Sequence, residues 1–229
     1  MDERKIQKSF IDQIKGKKKV QKKSIGVYKY LVHHSFFEVL TNAYPHFYKI
    51  IQDKKLSKEF DKSIYKFMQT NAFTPYMWQM PNEYRKFIKK SNFFKNIKYA
   101  NDLLHFEYSE LFIFMQPKTK IKKHPFSLSK EYKLSKNIVL HKYYYDVVNK
   151  DFNEKQKIYI IGYFDFHRDE VVYRLLDRVL YLFLTSIDSS KNLKKNLRLF
   201  FRKHNIAYKE YAVQFEAVLE ELFSKKVII

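Results

Sequence analysis

Glycine stands at only three of the 229 positions, 16, 26 and 162, and proline at only five. Tight hairpins rely on glycine for residues with positive φ. A chain this poor in turn material cannot supply the many short connections of a β-sandwich or barrel. Helices are therefore expected to dominate. Hydrophobic residues make up 45% of the chain and charged residues 30%, enough apolar surface for a core, so disorder of the whole chain is excluded. A chain of this length forms one large domain or two small ones.

Cysteine is absent, which removes disulfides, thiolate zinc sites and iron–sulfur clusters and makes a cytoplasmic location the simplest expectation. The opening residues Met1-Asp2-Glu3-Arg4-Lys5 lead into no apolar run, and no stretch approaches ~18 uncharged apolar residues. Neither a signal peptide nor a membrane span is expected, and no membrane partner. The formal charge of +21, from 45 basic and 24 acidic residues, implies attraction to nucleic acid, anionic lipid or an acidic partner. Only seven of the basic residues are Arg. Joint enrichment in Lys, Ile, Phe, Tyr and Asn is what AT-rich codons produce in any protein, so part of the excess carries no functional message.

The lysines at 15, 17, 18, 19, 22 and 23 mark a solvated loop after a short N-terminal helix. Helices are then predicted over 25–43, 45–52, 57–70, 82–89 and 96–116, with Tyr44-Pro45 and Pro117 as stops. Between them, residues 71–81 form an aromatic-rich loop holding two prolines. Segment 118–136 carries seven lysines and one acid, Glu131, and is read as the boundary between an N-terminal helical domain, 1–117, and a C-terminal domain, 118–229. Strands are expected at 138–148, 157–166 and 171–173. Helices follow at 174–185, burying Leu176, Val179, Leu180 and Phe183, at 191–203 behind a Ser189 or Ser190 cap, and at 208–223 on Tyr211, Phe215, Val218 and Leu222. The fold class is α+β, mostly α, with a small sheet and three helices in a winged-helix-like second domain.

No Gly-rich phosphate loop, nucleophile elbow or His-Glu-x-x-His is present. Adjacent His33 and His34 cannot face one ion, and the Asp165 to Glu170 cluster reads as a charged hairpin tip. No catalytic or metal site is expected. A better signal is the basic face Lys191, Lys194, Lys195, Arg198 and Arg202, within a stretch, 189–209, that holds no acid. With the preceding helix it suits a helix-turn-helix against a phosphate backbone. The face is short of Arg and Gln forks, which favours nonspecific nucleic-acid affinity over base reading. Tyr76, Met77 and Trp78 cluster where one helix cannot bury them all, and are expected to meet a partner.

Three blocks carry a resemblance. Val27-Tyr28-Lys29-Tyr30 runs to Val39-Leu40-Thr41-Asn42-Ala43-Tyr44-Pro45; Glu83-Tyr84-x2-Phe87-Ile88 precedes Ala100-Asn101-Asp102-Leu103-Leu104-His105-Phe106-Glu107; and Phe166-His167-Arg168-Asp169-Glu170-Val171 leads into 176–193. In order and spacing these resemble the HvfC/MbnC-like family, whose N-terminal region is catalogued under a DNA-binding name. Tyr44 stands where that family usually has Phe, and Asp169 and Asp188 where it has glycines. The resemblance implies a non-catalytic accessory subunit that binds a TIM-barrel multi-iron oxygenase and helps hold the leader of a ribosomally made, cysteine-containing precursor peptide. Iron is expected in the oxygenase and no cofactor in this chain. The residues suit that role: a sheet edge at Ile158, Ile160, Tyr163, Val171 and Tyr173 can accept a peptide strand, and the basic helix can attract acidic leader residues. The alternative is a DNA-binding regulator using the basic C-terminal helices.

Overall fold

The computed structural model describes residues 3–70, 76–117 and 125–229. The fold is α+β and mostly α, with one three-stranded antiparallel sheet among the described residues. Two compact units divide the chain, Met1–Leu111 and Phe112–Ile229. The first comprises α1 (Glu3–Ile14), α2 (Lys23–Ala43), α3 (Pro45–Asp53), α4 (Ser57–Met68), a 3-10 turn (Met77–Gln79), α5 (Met80–Lys90) and most of α6 (Ala100–Met115). The second holds β1 (Val139–Tyr143), β2 (Ile158–Asp165), β3 (Glu170–Leu176), α7 (Arg178–Thr185), α8 (Leu193–Lys203) and α9 (Tyr208–Ser224).

The scarcity of glycine shows at the helix ends. Four helices close with the same C-terminal turn, in which an αL residue follows the cap and the next N–H returns to a carbonyl in the last helical turn. The returning bonds are Lys17 N to Asp12 O at 2.8 Å, Leu56 N to Ile51 O at 2.9 Å, Ile206 N to Phe201 O at 3.0 Å and Val227 N to Leu222 O at 2.9 Å. Only the first uses glycine, Gly16. The others put Lys55, Asn205 and Lys226 at φ of 57°, 54° and 59°. A side chain there costs ~1–2 kcal/mol. The apolar residues after it, Leu56, Ile206 and Val227, turn back towards the protein, and Val227 is fully buried.

The core of the first unit is aromatic: Tyr44, Phe47, Phe60, Phe67 and Tyr84 are all buried, beside Leu40, Ile51, Ile64 and Leu104. Its buried hydroxyls are satisfied. Tyr44 donates to Pro81 O at 2.6 Å, and Tyr84 shares a 2.6 Å bond with Ser63 Oγ, which lies 2.6 Å from Phe60 O. Burial pushes both phenols far above their ordinary range.

In the second unit the sheet order is β1-β2-β3, with Val139 opposite Gly162 and Tyr163 opposite Val172. Alternation along the strands splits the side chains between two faces. Tyr159, Ile161, Tyr163, Val172 and Leu176 join the cluster formed by α7, α8 and α9. Ile160, Gly162 and Phe164 face the other way, towards the end of α6: a Cβ on Gly162 would stand 2.6 Å from the Tyr173 ring and 2.9 Å from Ile113, and Phe114 lies 6.2 Å from Phe164. That packing places the division of the units inside α6. Gly162 is therefore required by a close approach and not by a turn.

Several expectations are corrected. β3 runs on to Leu176, since its pairing with β2 continues through Leu175 and Leu176. The next helix starts only at Arg178, where Asp177 Oδ1 accepts from Leu180 N at 2.8 Å. That shift turns Leu180, Phe183 and Leu184 inward and leaves Val179 37% exposed. Asn192, rather than either serine, caps α8 by accepting from Lys195 N at 2.8 Å, because Ser190 is occupied with Asp188. In α9 the inward face is Phe215, Leu219 and Leu222, with Tyr211 exposed. Residues 118–124 of the lysine-rich segment lie outside the described residues. The rest of it is fastened down: Leu193 N donates to Lys130 O, Lys194 N to Leu128 O, and Lys133 exchanges two 2.9 Å bonds with Ile229. Tyr132 within this strap is buried. The C-terminal Val227-Ile228-Ile229 thus pairs with 133–135 instead of the sheet.

Candidate functional site

The five residues expected on a free edge do not share one. Ile158, Ile160 and Tyr163 lie on β2, the central strand, hydrogen-bonded on both sides through most of its length. The physical reason is the partner at 139–143, which leaves Ile160 paired with His141 on one side and Leu175 on the other. Val171 and Tyr173 belong to β3, an outer strand, and both are half-buried. Leu175 on the same face is 55% exposed. Among the described residues, no strand pairs with the outer side of β3 or of β1.

Pairing with β1 stops at Gly162, so Tyr163, Phe164 and Asp165 are paired through β3 alone. Tyr163 and Phe164 form one wall of a cleft of about 420 Å³, mouth included, that lies wholly in the second unit. Phe114, Pro117, Asn137, Phe166, Lys225 and Lys226 line the rest of it. Phe166 lies 5.2 Å from Phe164 and carries Lys226 Nζ 3.7 Å above its ring. Lys225 Nζ sits 2.8 Å from Asp165 Oδ2, and Asp165 Oδ1 accepts from His167 N at 2.9 Å. The Lys225 ammonium, then the His167 N–H, hold the Asp165 carboxyl below its ordinary range. Such a carboxylate stays ionised and is committed to its turn. Asp169, where the resembled family has glycine, takes φ of 55° in this hairpin. The cleft's cations were illegible in the sequence, because Lys225 and Lys226 stand ~60 residues from the strand they flank.

On α8, Lys194, Lys195, Arg198 and Arg202 are exposed, and no described carboxylate pairs with any of them. Lys191 does not belong with them: its ammonium is hydrogen-bonded to Asp188, which holds that carboxyl well below its ordinary range. Buried Asn196 organises the turn before α8, accepting from Asp188 N at 2.9 Å while its amide donates to Asp188 O, Lys191 O and Asn192 O. That connection, 186–192, is longer than the three or four residues of a helix-turn-helix.

In the first unit, Tyr76 and Met77 are exposed and Trp78 is half-buried at the 3-10 turn entering α5; residues 71–75 of that expected loop lie outside the described residues. The resembling blocks meet here. Glu107 of α6 caps α3, sixty residues away in sequence, accepting from His46 N at 2.7 Å, Phe47 N at 3.1 Å and His46 Nδ1 at 3.1 Å. Tyr44, the residue before Pro45, offers α3 no side-chain cap of its own. Burial raises the Glu107 carboxyl above its ordinary range, although the three donors pull the other way. The matched residues Tyr44, Pro45 and Glu107 therefore perform a structural task. His33 is buried and stacked 3.9 Å from the Tyr65 ring, while His34 is exposed. Among the described residues no three His, Asp or Glu side chains converge as metal ligands, and no helix is long and apolar enough to cross a membrane.

No family model matches the chain, and neither does any curated protein.

Proposed function

We propose that this chain is a non-catalytic accessory protein that holds an extended segment of a cysteine-containing precursor peptide, its leader, for a TIM-barrel multi-iron oxygenase carrying the iron and the chemistry. The observation behind the peptide site is the outer edge of β3, with which no strand pairs among the described residues, and where Val171 and Tyr173 are half-buried and Leu175 is exposed. An added strand would gain main-chain bonds there, and alternate side chains would read the peptide's register. The four unpaired cations of α8 would speed capture of acidic leader residues more than they deepen affinity. The oxygenase partner rests on the family resemblance, with Tyr76, Met77 and Trp78 as its contact.

Adjacent residues of a strand present their N–H groups to opposite edges, so Val172→Pro and Tyr173→Pro separate the roles. One breaks the ladder to β2; the other keeps the fold, by circular dichroism, and abolishes binding of a fluorescent leader peptide. Wild-type affinity in the folded variant places the peptide elsewhere. Size-exclusion co-elution with the cognate oxygenase tests the partner, and independent elution at micromolar concentrations refutes it. A second reading, nonspecific DNA binding, draws on the same α8 cations. It requires affinity that collapses as salt rises, with a slope reduced in Lys195→Glu/Arg198→Glu.

A further inference from the structure

The α1–α2 hairpin carries a group of large apolar side chains exposed to solvent. Ile6, Ile11, Val27, Tyr28 and Leu31 are each about half exposed, and Phe10 is 38% exposed. Phe10 and Tyr28 meet edge-to-face at 6.0 Å, which brings exposed rings of the two helices together. α1 itself buries only Gln13, so this helix is held by little of its own apolar face. Its amphipathic pattern is not consumed by the core.

A band of cations adjoins that surface. Residues 1–31 hold ten basic side chains against three acids, and Lys17, Lys18, Lys19, Lys22 and Lys23 are exposed in the connection between the helices and at the start of α2. The connection is pinned. Lys17 N and Lys18 N donate to Asp12 O, Gln21 N donates to the buried Gln13 Oε1 at 2.9 Å, and Gln69 Nε2 reaches Gly16 O at 3.4 Å. Within the band, burial and then the charge of Lys17 lower Lys15, with Asp12 opposing them. Asp12 stands 3.8 Å from Lys18 as a counter-charge.

We infer that the α1–α2 hairpin docks on an anionic lipid surface, with Ile6, Phe10, Val27, Tyr28 and Leu31 in the interfacial layer and the lysine loop against the headgroups. Charge selects this occupant. A band this basic attracts an anionic partner, and the aliphatic residues beside it gain nothing from a phosphodiester backbone, whereas a lipid interface accepts both at once. Tyrosine suits the same boundary, its ring in the apolar layer and its hydroxyl in water. The docking is peripheral, so it needs no membrane-spanning helix; it departs from the expectation of no membrane partner and is independent of the peptide-site reading.

Vesicle co-sedimentation of the full chain at ~150 mM salt tests it. Phosphatidylserine-containing vesicles should carry the protein down, and pure phosphatidylcholine should not. Lys18→Gln/Lys19→Gln/Lys22→Gln should weaken the partition by on the order of 100-fold, about fivefold per lysine. Val27→Ser/Leu31→Ser, at positions half in solvent and so expected to keep the helical circular-dichroism spectrum, should weaken it tenfold or more. Three results overturn the inference: no partition into anionic vesicles; lysine dependence without apolar dependence, accompanied by equal binding to DNA; or a concentration-dependent dimer abolished by the Val27/Leu31 substitutions, which would make the occupant a second copy.

Discussion

The two units solve the same problem with different bonds. In the first, helices distant in sequence are tied by polar contacts through an aromatic interior: Glu107 to the start of α3, Tyr44 to Pro81, and Tyr84 to Ser63. In the second, long-range order comes from strand register and from one continuous apolar cluster, with the Asp165–Lys225 pair as a part-buried polar tie across sixty residues, while the buried side chain of Asn196 bonds only within its own turn. A helical unit has no ladder to define which helix faces which, so a few buried hydrogen bonds can supply that specificity. A sheet carries its own. Leaving a buried donor unmade is costly, which makes the first arrangement sensitive to single polar changes and the second to lost volume.

Phe183→Ala should have the largest effect, about 3–5 kcal/mol of destabilisation read by denaturant unfolding, since Phe183 is fully buried against Phe200 and Phe215. Glu107→Ala should follow at about 2–3 kcal/mol, because it strands the Phe47 N–H in the core and removes the acceptor of the His46 N–H at the start of α3. A loss below about 1 kcal/mol would erase the contrast between the units. The third test concerns pH. Burial, opposed by Asp61, lowers the His33 pKa in the fold, and Lys29 and His34 act in the same direction as burial. The neutral ring's contribution is therefore fully present above ~6.5 and is lost as pH falls through the lower, folded-state value. Hydrogen exchange in α2 and α4 should report less protection at about pH 5.5 than at about pH 7.5, and His33→Phe should shrink that difference. Smaller still is Lys55→Gly, which relieves an αL side chain and should stabilise by about 0.5–1 kcal/mol in thermal unfolding. Asn205→Gly should change little, because asparagine tolerates that conformation.

How much of this was legible depended on the range of the interaction. The break at Tyr44-Pro45 and the C-terminal helices follow from local chemistry and stand close to where periodicity put them. The centrality of β2 could not be read from its own residues. A buried strand and an edge strand of similar composition differ only in whether a partner comes from elsewhere in the chain, here 139–143. Likewise the run Tyr143-Tyr144-Tyr145 gives no sign that its outer two rings are buried while Tyr144 is exposed beside Lys142. The candidate site shows the same limit. The basic positions on α8 were visible from spacing, but the withdrawal of Lys191 to Asp188 depends on how the turn folds around Asn196.

By itself the sequence determined a helix-rich, glycine-poor chain with a small sheet in its second half, because propensity, capping and turn chemistry act within a few residues. Tertiary structure alone decided that Glu107 caps a helix some sixty residues away, that 125–135 straps α8 to the C-terminus, and that β2 is the central strand with β1 and β3 outermost. Those outcomes turn on which surfaces meet, and the energy of a meeting is stored in neither segment alone.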